Sequence, residues 1–548
     1  MKKKEFALQM AFCFAVLLLV IPEVNAGWKN MEVLRSDFEI ESADPREQWY
    51  PWVEYNSMDN EFMTVWHAAG PLREDCAPGD DYECTTKLHT LNGRRVSTDG
   101  VLLGDTIQLS PPEEGYKTDI RCAYNKFTNE YMTVSAVSPT PKLRDTEKFI
   151  ARINNLGEIQ YGPNLLLPAG GGESPLPIIV FNSLRREYLV VYSDRNIYNE
   201  HLNLIGFILD ENGDRIQGPF PVGNQLGDYY APRAAYNPTD DTYLVVWEDF
   251  RNVPDWLSPC DIYGALLDFE GKMIKEIPVL DDHALGEPDA GDQRVPVVAY
   301  NPDKNKFFVV WEADEMPTID DGAIFARYVN GDGSLEDVIT LVDEPRRQHW
   351  PDVKYIQEEK KYFMVWNDTR NDGMPPDSGW WESPKIDVYG RWLDDSGTPI
   401  GEEILLAEQP VGTAGWKQCP FMAYNPVEKR FLIAWYDRHA SGGGTMFGGA
   451  PSDVRATLYG LPSFLTVRVV DNGGESNPLQ GARVLVMGPA VPIMGKTNEG
   501  GWFNIPKRSQ LNGPYMVLVI KKGYRMALQL VNYTGSALQE TIQLKKVR

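Results

Sequence analysis

The sequence is poor in the signatures that announce a reaction. It has no C-x-x-C pair and no H-E-x-x-H run, which removes the usual zinc-ligand spacings. It has no nucleophile elbow and no glycine loop of the kind that cradles phosphate. The glycine-rich stretch at residues 441–444 precedes no helical pattern and reads as a loop. Asp/Gly turns such as Asp210-Glu211-Asn212-Gly213 fall short of a calcium loop and read as hairpin turns. No metal and no cofactor is expected on these grounds.

Positive charge is also scarce. Lys+Arg number 53 against 78 Asp+Glu, a net charge of −25; residues 1–26 carry three lysines against Glu5 and Glu23, so the remainder is one unit more negative. So acidic a surface disfavours nucleic acid and anionic lipid, both of which are gripped by cations. Long apolar runs are missing beyond the N-terminus. Residues 6–21 form such a run, behind Met-Lys-Lys-Lys-Glu and ahead of the small-residue exit Val24-Asn25-Ala26. That order reads as a secretory signal peptide over residues 1–26, and the run is short for a membrane anchor. Cys13 within it has no lipobox context. The expected location is therefore extracellular, periplasmic or at the cell surface, with no membrane span. Five cysteines follow residue 26. Cys76 and Cys84 bracket an Asp/Gly/Pro-rich loop and are a disulfide candidate in an oxidising compartment. Cys122 and Cys419 fall in apolar strands and read as buried thiols.

The remaining length, about 520 residues, exceeds what one compact core organises unless it is built by repetition. Repetition is what the sequence contains. An extended run ending in an aromatic and Asn, a polar turn and a β-rich run ending in an aromatic recur seven times. The copies run from Tyr55 to Trp66, Tyr124 to Ser135, Phe181 to Tyr192, Tyr236 to Trp247, Tyr300 to Trp311, Tyr355 to Trp366 and Tyr424 to Trp435. First and last positions are eleven apart in every copy, and a proline stands four residues ahead in all but the second, which has Ile120. Short apolar runs bounded by Asn/Pro/Asp predict hairpins of buried strands. A second phrase follows, as in Asp261-Ile262-Tyr263-Gly264 and Asp387-Val388-Tyr389-Gly390, and predicts a third strand, a glycine turn and a fourth. Four antiparallel strands repeated radially make a propeller blade. The seventh copy lacks a fourth strand, and residues 31–40 form a strand without a blade; pairing the two closes the ring and removes both sheet edges.

These phrases resemble the secreted bacterial β-propeller repeats with an "AYNP…YLVVWED.RN…DIYG..LD" signature. The resemblance covers roughly residues 28–461 and implies fold rather than activity. From Phe464 the grammar changes to short alternating strands with Gly/Asn turns. There the chain resembles the carboxypeptidase-regulatory-like, transthyretin-like domain, over residues 463–548, which implies an accessory or adhesion-type β-sandwich without catalytic residues. The expected architecture is all-β: a signal peptide (1–26), a seven-bladed propeller closed by its N-terminal strand (27–461) and a small C-terminal β-sandwich (463–548).

Strand order collects two kinds of residue at one end of such a propeller. After the second strands come Asp194-Arg195, Asp249 with Arg251, Asp368 with Arg370, and Asp437-Arg438. As repeat positions these read as structural ties, each pair holding its own blade by a charge-assisted hydrogen bond. Before the first strands come Gln48-Trp49, Arg233, Arg294 and Arg347-Gln348-His349-Trp350. Residues that break the repeat are the better ligand candidates, and the long loops on that face carry aromatics. The candidate ligand-binding set is Trp49, Trp256, His349, Trp350, Trp380, Trp381, Trp416 and His439. The leading reading is a non-catalytic secreted or cell-surface protein that binds an extracellular glycan or protein. One alternative is an extracellular glycoside hydrolase or polysaccharide lyase with carboxylates in the propeller funnel. Another is a non-catalytic subunit of an envelope assembly. Two carboxylates and an aromatic converging in one funnel pocket would favour the hydrolase.

Overall fold

The computed structural model describes residues 28–41, 46–71, 86–109, 114–140, 146–167, 177–195, 202–224, 227–252, 260–282, 291–314, 322–374, 383, 385–409, 415–439, 452–472, 477–488, 492–506, 513–533 and 538–547. Cys76, Cys84, Trp256, Trp380 and Trp381 lie outside these residues, as do the side chains of Arg195 and His439. The described residues are almost wholly strand, with one 3-10 turn at Trp28–Asn30. No helix among them is long and apolar enough to cross a membrane. The chain divides into two compact units, the larger comprising residues 33–426 and 430–459.

In the larger unit, successive strands pair with their sequence neighbours. Residues 229–280 are typical: Tyr229–Asn237, Thr242–Asp249, Asp261–Asp268 and Met273–Leu280 form one four-stranded antiparallel sheet. Residues 48–108, 116–167, 178–222 and 293–342 form four more of the same order. Residues 348–407 and 415–460 add two further groups, joined by a short parallel pairing of Lys385 with Gly415 and Ile386 with Trp416. The N-terminal strand Glu32–Glu41 pairs with Ser452–Gly460 and supplies the fourth strand of the last group. Asp37 N donates to Thr457 Oγ1 at 3.1 Å, and Arg455 forms ion pairs with Asp37 at 2.5 Å and Glu39 at 3.1 Å.

The repeat aromatics explain why the sheets stack. Trp66, Trp247, Trp311, Trp366 and Trp435 are all fully buried, each on the second strand of its sheet. In two copies the Asp two residues on takes the indole: Trp247 Nε1 donates to Asp249 at 2.8 Å and Trp366 Nε1 to Asp368 at 2.9 Å, whereas Asp437 after Trp435 is held by Lys417. Ala313 holds that position after Trp311, and Gln293 accepts its indole instead, at 2.8 Å. Apolar clusters tie each sheet to the next; Leu244, Val246 and Ile262, for example, pack on Trp311 and Phe307. One cluster joins the last group to the first, with Leu432, Ala434 and Val454 against Val53, Phe62 and Trp66 and with Ile40 of the N-terminal strand among them.

The Asn at the head of the repeat turn runs the same circuit. Asn56 donates to Asn129 at 2.9 Å, Asn182 to Asp241 at 3.0 Å, Asn237 to Asn305 at 2.9 Å, and Asn425 returns to Asn60 at 3.1 Å. The acceptors stand at positive φ, 52° to 57°, where Asn and Asp are tolerated best. Four-stranded sheets following one another in this way fit a β-propeller.

The smaller unit takes residues 460–548 with a few others. Its strands form a three-stranded sheet, Trp502–Pro506, Ser463–Asp471 and Leu538–Leu544, and a four-stranded one, Ile493–Lys496, Arg483–Met487, Gly513–Ile520 and Ala527–Tyr533. Both contribute to one apolar cluster, in which Phe464 meets Tyr515 and Tyr533 edge-on at 4.8 and 4.7 Å.

Candidate functional site

The first strands of the sheets share an irregularity that shapes the site. Tyr50, Asp119, Ala231, Val295, Trp350 and Cys419 all have positive φ, between 42° and 53°. Each stands just before the repeat proline (Ile120 in the second copy), and at each the pairing with the second strand shifts register. Non-glycine residues hold this conformation at a cost, and bulges of this kind bend the strand and re-aim its side chains. The neighbouring sheet captures the freed amides: Val295 N donates to Glu248 Oε1 at 2.8 Å, Trp350 N to Glu312 Oε2 at 2.6 Å and Cys419 N to Asn367 Oδ1 at 3.0 Å. The residue after the repeat Trp thus stitches one sheet to the bulge of the next.

The bulges surround a cavity of about 270 Å³. Tyr50, Tyr230, Trp350 and Phe421 give it aromatic surface. Its charged lining is four arginines, Arg121, Arg233, Arg294 and Arg347, and two carboxylates, Glu248 and Glu312. Arg294 pairs with Asp292, and Arg347 with Glu312 at 3.1 Å. Burial raises both glutamates above their usual range, against the lowering pull of the amides and arginines just named. A second cavity, of about 210 Å³, includes Trp52, Glu54, Asp352 and Lys354 and shares Arg233 with the first. Burial lifts Glu54 to about 7, with Lys354 and the Trp52 indole pulling the other way. No cluster of three metal-ligating side chains occurs among the described residues.

Of the ligand candidates, His349 and Trp350 line the first cavity, with their rings stacked at 5.4 Å. His349 is buried, which with Arg347 nearby keeps its imidazole neutral. Trp49 sits beside the cavity, edge-on to His67 at 5.4 Å. Trp416 is not on the lining of either cavity. It lies inside the strand Gly415–Asn425, only 7% exposed, with its indole donating to Ser383 O at 2.6 Å and Arg438 over its ring. It is the second residue of that strand, and Ser383 lies outside the strands, so the ring packs against the segment that precedes Lys385. Trp256, Trp380, Trp381 and the His439 side chain lie outside the described residues.

The Asp/Arg positions divide by spacing. Asp249 with Arg251 and Asp368 with Arg370 are two residues apart and form ion pairs at 2.6 Å, each Arg also reaching a glutamate on the fourth strand, Glu276 or Glu403. Asp194 faces Lys148 at 3.8 Å, while Asp437 takes Lys417 at 2.7 Å and Arg455 at 3.8 Å. Residues i and i+2 along an extended chain point to the same side, which lets Asp249 meet Arg251 and Asp368 meet Arg370.

Arg121, Glu248, Glu312 and Phe421 were missed as site residues. A signal for them existed: Arg121 and Phe421 hold the repeat position that Arg233 holds, directly after the proline or its substitute, and Glu248 and Glu312 share the position after the repeat Trp.

No family model matches this sequence, and no curated protein matches it either. Among solved structures it is similar to a protein of unknown function from Dyadobacter fermentans DSM 18053, at 12% identity and TM-score 0.44, over 79% of this chain and 99% of that one. It is also similar to the phage phi92 endosialidase, at 10% identity and TM-score 0.44, over 79% and 69% of the two chains. A third is an α-L-arabinofuranosidase of Fusarium graminearum, at 11% identity and TM-score 0.39, over 77% and 97%.

Proposed function

We propose that this is a secreted or cell-surface protein in which a seven-bladed β-propeller, residues 27–461, binds an extracellular glycan in its funnel. Residues 463–548 then serve as a transthyretin-like accessory sandwich, and residues 1–26 as the export signal. The observation that carries the reading is the funnel cavity, where aromatic faces stand beside fixed polar groups in a volume suited to about one sugar unit. Glu248 and Glu312 are engaged in holding the bulges of the next sheets, which favours binding over acid–base work.

The hydrolase reading has one specific support. Two carboxylates converge with aromatics in one cavity, and the burial that raises Glu248 and Glu312 would suit the acid of a glycosidase pair, whose other member must stay ionised. A glycan array probed with the intact protein, run beside a polysaccharide turnover screen, separates the two. Binding without new reducing ends is expected. Product formation that disappears in both Glu248→Gln and Glu312→Gln would establish catalysis instead.

A further inference from the structure

Two of the four cavity arginines are held in a way that needs explaining. Arg121 and Arg233 occupy one repeat position on the innermost strands of two sheets, where other copies place Trp52, Ile178, Val297, Asp352 and Phe421. Arg121 is 1% exposed and Arg233 9%. Each donates through Nη1 to the carbonyl just before it, Ile120 O at 3.0 Å and Pro232 O at 3.1 Å. Neither Nε has a partner, and neither guanidinium forms an ion pair among the described residues. In this they differ from Arg251, Arg294, Arg347 and Arg370, each of which meets a carboxylate.

The two groups also share a neighbourhood. Both guanidiniums lie against the Phe421 ring, at 5.2 and 5.5 Å from its centroid. The carboxylates acting on them are Asp119 and Asp352. Asp352 is already committed to Met422 N and its neighbour Val353 N, both at 3.0 Å. Each Arg is pulled down from its usual range, chiefly by burial, and the repulsion between them adds to the effect for Arg233. A buried cation without a partner destabilises a fold, and a fold retains one where something from outside supplies the counter-charge.

We propose that Arg121 and Arg233 form a carboxylate site in the funnel cavity, so that the ligand is an acidic sugar such as a uronate or sialate. The inference rests on the glycan reading above. A guanidinium fork matches the planar carboxylate and bonds it through two parallel N–H donors. The cavity volume admits a single sugar and its carboxylate, with Tyr230 and Trp350 on the same lining.

The test is calorimetric titration and thermal shift of the intact protein with glucuronate, galacturonate and N-acetylneuraminate, against glucose and acetate. At least one acidic sugar is expected to bind saturably and raise Tm, while glucose and acetate at equal concentration do not. Arg121→Gln and Arg233→Gln are each expected to weaken that binding tenfold or more. Without ligand, both variants should melt no lower than the native protein, since each removes a buried charge that no ion pair holds. Equal binding of glucose and acidic sugars, insensitive to either substitution, would overturn the carboxylate site and leave the glycan reading intact. An equal response to acetate would overturn the sugar assignment. Silence toward every sugar, here and on the array, would bring down both.

Discussion

His67 and His89 face each other in the first sheet's interior, Nε2 to Nδ1 at 2.9 Å with the rings stacked at 5.2 Å. Burial keeps both imidazoles neutral, helped by the positive Arg46 and Lys117; it takes His89 from 6.5 down to about 3 and His67 well below 6.5. The unfolded chain protonates both near 6.5, so below that pH it binds more protons than the folded one. Stability from this pair is complete well above pH 6.5 and falls as pH drops below it, for His89 down to about 3, by about 1.4 kcal/mol per pH unit for an imidazole that only the unfolded chain protonates. Thermal melts from pH 7.5 to 4 should therefore slope less steeply in His67→Phe/His89→Leu than in the native protein. Parallel slopes would mean the pair takes up protons in the folded state. This pair was not legible in the sequence, because Trp66-His67 follows the repeat while His89 lies beyond a long insertion, and nothing in their spacing joins them. The arginines of the funnel were half legible. Arg233 stands out after its proline, but the same position in the second copy follows Ile120, and the missing proline hides Arg121 from a reader who counts from it.

A strand of this protein is a short apolar run with a different neighbour on each face. Trp311 makes that concrete: fully buried, its indole on Gln293, its ring stacked on Phe325 of its own sheet and packed with Leu244 and Ile262 of the preceding one. Trp311→Ala should cost about 3–5 kcal/mol in denaturant unfolding, the usual range for emptying a large aromatic site. Trp350→Ala, at a half-buried position lining the cavity, should cost much less stability while reducing the glycan binding proposed above. Similar small losses at both would mean that the repeat tryptophans do not form the core between sheets. The repeated glycine of the third strand follows from the same crowding. A Cβ on Gly390 would stand 2.8 Å from both Phe363 and Leu406, and one on Gly264 3.0 Å from Val245 O. Strands, turns and their register were readable because each copy repeats the same apolar spacing. Bulges were not, since no composition distinguishes Tyr50, Val295 or Cys419 as residues that take positive φ. The site was hard to read for a related reason: its residues come one or two from each sheet and never form a local motif.

At the scale of the whole molecule the decisive element is the N-terminal strand. Phe38 and Ile40 are buried in the cluster that joins the last group to the first, and Asp37 is held by both Lys417 at 3.0 Å and Arg455. Deleting residues 28–41 should leave the strand Ser452–Gly460 with an open edge, and so lower the melting temperature, reduce solubility and speed proteolysis near residues 415–461. Removing residues 463–548, which have their own core, should do much less. Limited proteolysis of the two truncations checks this, and an N-terminal deletion as resistant as the intact protein would reduce residues 28–41 to a linker. The same pairing sets an order in time. Asp37 and Thr457 are 420 residues apart, so the N-terminal strand waits for the last strand of the larger unit before it has a partner. The loop entropy of so long a closure grows only slowly with length, but the interval during translation does not shrink. Through that interval each newly made sheet offers Glu32–Glu41 an edge of the wrong address, and the ring is correct only if the strand leaves them all.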